Sequence, residues 1–549
     1  MGRLVRAVAR TAARPLRAMG WGARRGWLRS GAVVEVDVVS IPGLRDRHRW
    51  LHRLRRLGTD PMVVGVLLKV HEGPAGWAAL QDLVEAIASL RQAGKTVYAY
   101  SEVPGNAAVA VASAADRSFL VPSGDVGLVG VGVELTFFGA LLERLGIEPD
   151  FEAAGAYKSF GEPFTRSFAS PNNQEAMRAL VDDMQAQLVE QIATGRNLAP
   201  DAVRELFARA PLSAAEAVAS GLFDELAYED QVHDVLEEAH GSSVVRVPFA
   251  QWSRLDAGDE WLAGWGRRRE RVAVLHLDGP IAMDRPHTGV GARQVVPVLR
   301  QLEEDDEVAA VVLHVASPGG SAVASDLMWR EVDRLRRAKP VVAAFEDVAA
   351  SGGFYLSAPA QEIWARPATL TGSIGVFGGK LVVGEGMRRV GVHTQAVLGA
   401  PNANLFAPSK PFTDGQRTRF RASLQRFYDG FVSRVAEGRG KTEDELEPHC
   451  RGRVWTGRAA MERGLVDRQG SLLDAIDRAR QLASLPGVPA VHLSPHDGFD
   501  PARFVRNQLS HALPGAARLA MAAVDPGTEV LLTHAGQPLA MLPCQVPKP

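Results

Sequence analysis

The sequence predicts an α/β chain built from two tandem copies of one domain, each with a mostly parallel sheet. Two observations carry this. Apolar strand-like runs alternate with amphipathic helical stretches of ten or more residues, which is the pattern of βαβ units. The same succession of segments then occurs twice, in the same order, over about 180 residues. A chain of 549 residues is also too long for one ordinary core.

The first thirty residues form a separate segment. They carry arginine at 3, 6, 10, 14, 17, 24, 25 and 29 and no acid. The first five arginines are three or four apart, which places them on one helical face. No apolar run approaches the eighteen or so residues of a membrane span, and no signal-peptide core or cleavage site follows. The expectation is a basic amphipathic leader resting on an anionic membrane surface. A disordered basic leader, or a misassigned chain start, is the plainer alternative.

The first copy spans residues 31–255. In it, "VVGVLLKV" (63–70) reads as a buried strand. "WAALQDLVEAIASLRQAGKTVYAY" (77–100) then gives an amphipathic helix, a glycine stop and a second strand. The second copy spans 256–485 and repeats the order in "VAAVVLHVASPGGSAVASDLMWREVDRLRRAKPVVAAF" (308–345). Runs such as "VAVLHL" (272–277) fit strands covered on both faces. Gly127 and Gly130 in "FLVPSGDVGLVG" match Gly372 and Gly375 in "WARPATLTGSIG", both 245 positions later. "EPFT" (162–165) parallels "KPFT" (411–414), and 214–232 parallels 457–475. Residues 486–549, rich in Pro, Gly, His and Ala, show no clear period and read as a C-terminal extension.

Composition narrows the function. The net charge is −1, with 46% hydrophobic and 23% charged residues, so overall basicity does not point to nucleic acid. Two cysteines, Cys450 and Cys544, make neither a disulfide framework nor a metal spacing. There is no HExxH, paired CxxC or Walker-type loop, so no metal and no cofactor is expected.

The two copies differ where chemistry would lie. Ser351 in "AASGGFYLS" corresponds to Asn106, and "SPGGS" (317–321) corresponds to "EGPAG" (72–76), which lacks the glycine pair. Conversely, "GAYKSFGEPFT" of the first copy holds Lys158, and the matching region of the second has no lysine at that place. One copy keeps a lysine and the other keeps a serine and two glycines. A single site assembled from both halves explains such complementary loss. A serine hydroxyl needs a base within hydrogen-bond reach. Lysine can be that base when burial without a carboxylate partner lowers its pKa. Gly352 opens a helix and can offer an N–H to an oxyanion, with a second from Gly319 or Gly320.

These motifs resemble the long, two-domain form of the signal peptide peptidase A family, serine proteases with the Clp protease/crotonase type of fold. "GAYKSFGEPFTR", "SPGGS", "AASGGFYLS" and "TLTGSIGVFG" carry the resemblance, which runs from about 33 to 480. It implies Ser351 as nucleophile, Lys158 as general base and Ser373 as the group orienting the lysine. Gly352 and the Gly319–Gly320 turn would form the oxyanion hole. It further implies a homotetramer that cleaves signal-peptide remnants and other hydrophobic peptides at the membrane. The arginine-rich leader departs from the membrane-spanning anchor usual in the family.

Each residue has a plainer reading. Ser351 could cap a helix, Lys158 could be solvated, and Ser373 could sit in an ordinary turn. Ser317 and Ser321 read as structural. His276 and His314 lie on predicted strands as core histidines, with a histidine base as the rival to lysine. Trp252, Trp261 and Trp265 read as packing residues. Two other functions fit the same fold: a crotonase-type acyl-CoA enzyme and an inactive scaffold.

Overall fold

The structure is a computed structural model that describes residues 31–38, 44–71, 73–74, 76–241, 244–254, 256, 270–284, 289–494 and 539–541. The leader 1–30 therefore lies outside the described residues, as do Trp261 and Trp265. The described residues form two compact units: those of Met1–Gly132 with Val181–Arg269, and those of Val133–Leu180 with Glu270–Val546. Residues 133–180, sequentially part of the first copy, thus pack with the second.

The first unit holds a six-stranded, wholly parallel sheet. Its order is Glu225–Leu226, Arg117–Leu120, Thr96–Ser101, Val63–Lys69, Ala32–Asp37 and Val245–Pro248. Helix Trp77–Gln92 buries Leu80, Leu83, Ile87 and Leu90, an i, i+3, i+4 stripe that faces the core. The amphipathic reading of 77–92 and the strand at 63–70 correspond to these elements.

In the second unit the chain runs through helix α1 (Gly139–Arg144) and strand β1 (Glu148–Ala154). After residue 270 come β2 (Arg271–Asp278), β3 (Ile281–Ala282), β4 (Val290–Gly291), β5 (Val308–Ser317) and β6 (Gly319–Ser321). Helix α2 (Ala322–Ala338), β7 (Val341–Ala350), helix α3 (Gly352–Ser357), β8 (Glu362–Ala365), β9 (Leu370–Gly372) and β10 (Val376–Val382) follow. Further along lie helices α4 (Gly384–Arg389) and α5 (Asp414–Arg439), strands β11 (Val454–Thr456) and β12 (Arg468–Gln469), helix α6 (Leu472–Leu482), β13 (Ala490–Leu493) and β14 (Leu539–Met541).

The main sheet has the order β11-β9-β7-β5-β2-β13, with β8 beside β7 and β12 beside β8. All its pairs are parallel except β9 with β11. Strand β5 is buried along almost its whole length, as its unbroken apolar run requires of a strand covered on both faces. Helix α2 starts where the Ser321 hydroxyl accepts the Ala324 N–H, and it ends before Pro340, which disfavours helix in the residue preceding it. A second sheet has the order β4-β3-β6-β14-β10-β1. In it β1 runs antiparallel to β10 over seven residue pairs, from Val376 opposite Ala154 to Val382 opposite Glu148. This pairing gathers 133–180 into the second unit. Ion pairs from Arg417 to Asp150 (2.7 Å) and from Arg421 to Glu152 (2.6 Å) fasten β1 to α5. The expected C-terminal extension supplies both β13, an edge strand of the main sheet, and β14.

Candidate active site

Ser351 sits at the junction between β7 and α3. Its backbone has φ +53°, ψ −112°, a region where a residue with a Cβ is strained. Two backbone bonds hold it there: the Ser351 N–H donates to the Gly372 carbonyl at 2.8 Å, and its carbonyl accepts the Tyr355 N–H at 2.8 Å. The strand-to-helix corner therefore fixes where the hydroxyl points. Small neighbours are required because α3 begins directly against the β6 turn. A Cβ on Gly352 would lie 2.5 Å from Ser325 Oγ and 3.3 Å from the Gly320 nitrogen, and one on Gly353 would lie 2.9 Å from the Ser317 carbonyl oxygen. The glycines on both sides of the corner let two stretches of backbone approach at this distance.

Lys158 comes from the loop after β1. Its Nζ lies 2.8 Å from Ser351 Oγ, 2.9 Å from Ser373 Oγ and 3.0 Å from the Ser373 carbonyl oxygen. All three residues belong to the second unit, and Lys158 is only 5% exposed. Burial pushes its pKa well below the ordinary lysine value, and no carboxylate offsets the effect. Glu162, four residues on, instead accepts from the Ser170 N–H and Asn173 Nδ2. A neutral amine has two N–H groups and one lone pair. Both acceptors on Ser373 can take the N–H groups, which leaves the lone pair facing the Ser351 hydroxyl. Ser373 is itself held at φ +52°, with its N–H donating to the Arg453 carbonyl at 2.7 Å.

The glycine turn comes close to the same corner. Gly319 (φ +104°) donates its N–H to Ser317 Oγ at 3.2 Å. Gly320 (φ +154°) packs so tightly that a Cβ would fall 2.0 Å from the Ile281 carbonyl oxygen. Ser317 and Ser321 have structural partners, as read: Ser317 serves the turn and Ser321 caps α2. Between β6 and β10, the sheet is filled by β14, antiparallel to β6 with Ala540 opposite Gly320.

One part of the site left no mark in the sequence reading. The turn at 451–453 clamps the lysine loop. Gly452 (φ +79°) leaves no room for a Cβ, which would lie 2.6 Å from the Lys158 nitrogen and 2.7 Å from its Cβ. The Tyr157 N–H donates to the Arg451 carbonyl at 2.8 Å. Arg453 lies over the Tyr157 ring at 4.9 Å and pairs with Glu175 at 2.6 Å. "RGRVW" matches no motif with a known mechanism, so only the contact itself identifies it.

The histidines lie elsewhere. His314 Nε2 meets Glu346 Oε1 at 2.7 Å, His314 Nδ1 faces His276 Nδ1 at 2.7 Å, and His276 Nε2 faces His492 Nδ1 at 3.0 Å. Among the described residues, Ser351 Oγ is met by Lys158 and by no histidine. In the first unit, Asn106, the counterpart of Ser351, makes two hydrogen bonds to the Gly130 backbone at 2.8 and 3.0 Å. Trp252 is buried and donates to Asp60 Oδ2 at 2.9 Å.

A family model described as Peptidase family S49 matches residues 89–243 and again 333–486. "Serine protease SPPA, chloroplastic" of Arabidopsis thaliana is 30% identical over 434 residues, 78% of this chain and 64% of that one. "Protease 4" of Salmonella typhi is 30% identical over 79% of this chain and 72% of its own length, and "Protease 4" of Haemophilus influenzae is 30% identical over 82% and 75%. The chain thus spans somewhat less than two thirds of the Arabidopsis relative and about three quarters of the two bacterial ones.

Proposed function

The chain belongs to peptidase family S49, and we propose that it is a serine endopeptidase working through a Ser351–Lys158 dyad. The observation that carries this reading is the 2.8 Å contact between Lys158 Nζ and Ser351 Oγ in a buried setting without a carboxylate. In the first step the amine lone pair takes the Ser351 proton as Oγ attacks the scissile carbonyl carbon. The carbonyl π electrons move to oxygen. Gly352 N–H and the Gly320 N–H of the adjacent turn meet that oxyanion. Gly320 is preferred over Gly319, whose N–H is turned to Ser317 Oγ. One such donor contributes about 3–4 kcal/mol in other serine proteases. The lysine ammonium then gives its proton to the leaving amine, and the acyl-enzyme forms. Water attacks the ester with the same lysine as base, and Ser351 is regenerated. Ser373 holds the amine in line through both halves of the cycle.

Substrates are hydrophobic peptides, signal-peptide remnants among them, bound as an extended strand along β6. That β14 can lie antiparallel to β6 supports a strand-shaped subsite there. Among the described residues no helix is long and apolar enough to cross a membrane. Attachment in this reading is peripheral, through the basic leader, and the working form is a homotetramer.

A fluorophosphonate probe followed by peptide mapping tests the reading. Covalent label on Ser351, abolished in Ser351→Ala and strongly reduced in Lys158→Met, is expected. No label on Ser351, or full labelling of Lys158→Met, would overturn it.

A further inference from the structure

The glycine turn β6 is paired on two sides. It runs parallel to β3, with Gly320 opposite Ile281, and antiparallel to β14. The β14 pairs are Leu539 with Ser321, Ala540 with Gly320 and Met541 with Gly319. Strand β14 is also antiparallel to β10, with Leu539 opposite Phe377. A stretch of the chain itself thus fills the gap between β6 and β10, where the reading above puts a substrate strand. All three strands and Ser351 belong to the second unit.

The register selects one peptide bond. In an antiparallel ladder, a residue whose N–H points at the neighbouring strand meets the carbonyl of the residue directly opposite, and the residues before and after it point away. Gly319 sends its N–H to Ser317 Oγ. Alternation then turns the Gly320 N–H toward β14, where the residue opposite is Ala540. Gly320 also lies against the serine corner, since a Cβ on Gly352 would fall 3.3 Å from the Gly320 nitrogen. The oxyanion donor assigned above and the carbonyl of Ala540 therefore belong to one pair of the ladder.

We propose that the chain cuts itself at the Ala540–Met541 bond, each molecule acting on its own β14. The Ser351 oxygen bonds to the Ala540 carbonyl carbon as Lys158 takes the hydroxyl proton. The bond from that carbon to the Met541 nitrogen breaks, and Lys158 gives its proton to the nitrogen. Water then hydrolyses the Ala540 ester, which leaves a carboxylate on Ala540 and releases residues 541–549. Before the cut, β14 competes with other peptides for β6. After it, the Met541–Gly319 pair is gone and two of the three pairs remain, so the cut loosens the strand in the groove. This rests on the Ser351–Lys158 reading and deepens it by naming one substrate and one control of the same site.

Intact-mass spectrometry of the purified full-length chain tests this. Wild type should end at Ala540, lighter by residues 541–549, whereas Ser351→Ala and Lys158→Met should end at Pro549. Met541→Pro makes the bond a tertiary amide and leaves the N–H groups of Gly320 and Ala540 in place, and it should also keep its tail. Ser351→Ala mixed with excess wild type should stay intact, because its β14 is seated in its own groove. Hydrolysis of a short soluble peptide reports separately on the dyad. Wild type that hydrolyses the peptide yet ends at Pro549 would overturn self-cleavage and leave the dyad standing. Wild type that does neither would overturn both. A tail lost from Ser351→Ala, alone or in the mixture, or a cut at any other bond, would also overturn the proposal.

Discussion

Removing the Ser373 hydroxyl probes how the lysine is held. Lys158 Nζ has three neighbours, and Ser373 supplies two of them, Oγ at 2.9 Å and the carbonyl at 3.0 Å. Ser373→Gly deletes Oγ together with Cβ and keeps the carbonyl acceptor. It also relieves the strain of a Cβ at φ +52°, so loss of activity cannot be assigned to a distorted backbone. A buried N–H left without an acceptor costs about 1–3 kcal/mol, which converts to roughly 5- to 150-fold in rate if it is felt in the transition state. The loss should fall on kcat, since Ser373 holds the base rather than the substrate.

The pH profile supplies the sharper readout. Burial lowers the Lys158 pKa. Ser373 Oγ accepts an N–H from either protonation state, and the charge-assisted bond to the ammonium is the stronger of the two. Deleting the acceptor destabilises the ammonium more than the amine. The acid limb of kcat/KM should therefore move to lower pH in Ser373→Gly even as the plateau falls. A limb that moved upward, or a profile and plateau both unchanged, would refute the positioning role.

Five further outcomes are expected. Ser351→Ala and Lys158→Met should each remove nearly all peptidase activity, and the double variant should lose little more, because the two groups act as a unit. Lys158→Met should also melt above wild type at pH 7: the unfolded lysine holds its proton up to about 10.5 and the folded one gives it up earlier, so the gap should shrink as pH rises toward that value. Gly452→Ala should cut kcat by at least about tenfold while leaving the circular dichroism spectrum intact, since its new methyl group would press on the Lys158 backbone. Truncation after residue 535 should lower KM for a short peptide, because it removes the strand lying along β6; an unchanged KM would show that β14 does not compete with substrate. Deleting residues 1–30 should weaken binding to anionic vesicles in a salt-dependent way and leave cleavage of a soluble peptide unchanged.

The parts of this arrangement that depend on local pattern were legible. Strand 63–70, helix 77–92 and the apolar run at 308–315 announce themselves by period and composition, because burial of both faces or one stripe constrains every residue in turn. The lysine and serine were legible for another reason. A duplicated sequence contains its own control, and a group present in only one copy is under a demand that the fold alone does not make. Ser373 rested on the family resemblance and not on any pattern, since a serine in a tight turn is common.

What stayed hidden depends on contacts distant in sequence. "EPDFEAA" in β1 has a proline, three acids and no alternation, so nothing local marks it as a strand. Its conformation comes from β10, more than two hundred residues away, and from Arg417 and Arg421 neutralising its carboxylates. This pairing has a consequence for the proposed base. Lys158 follows β1 by four residues, so the ladder that makes β1 a strand also brings the lysine to the serine. The division of labour between the copies and the exchange of strands between them are thus one fact. A copy that kept its own β1 against its own β10-equivalent would keep Lys158 on its own side, facing Asn106 in place of Ser351. Complementary loss in the sequence is what strand exchange permits, because after the exchange only one lysine and one serine still meet.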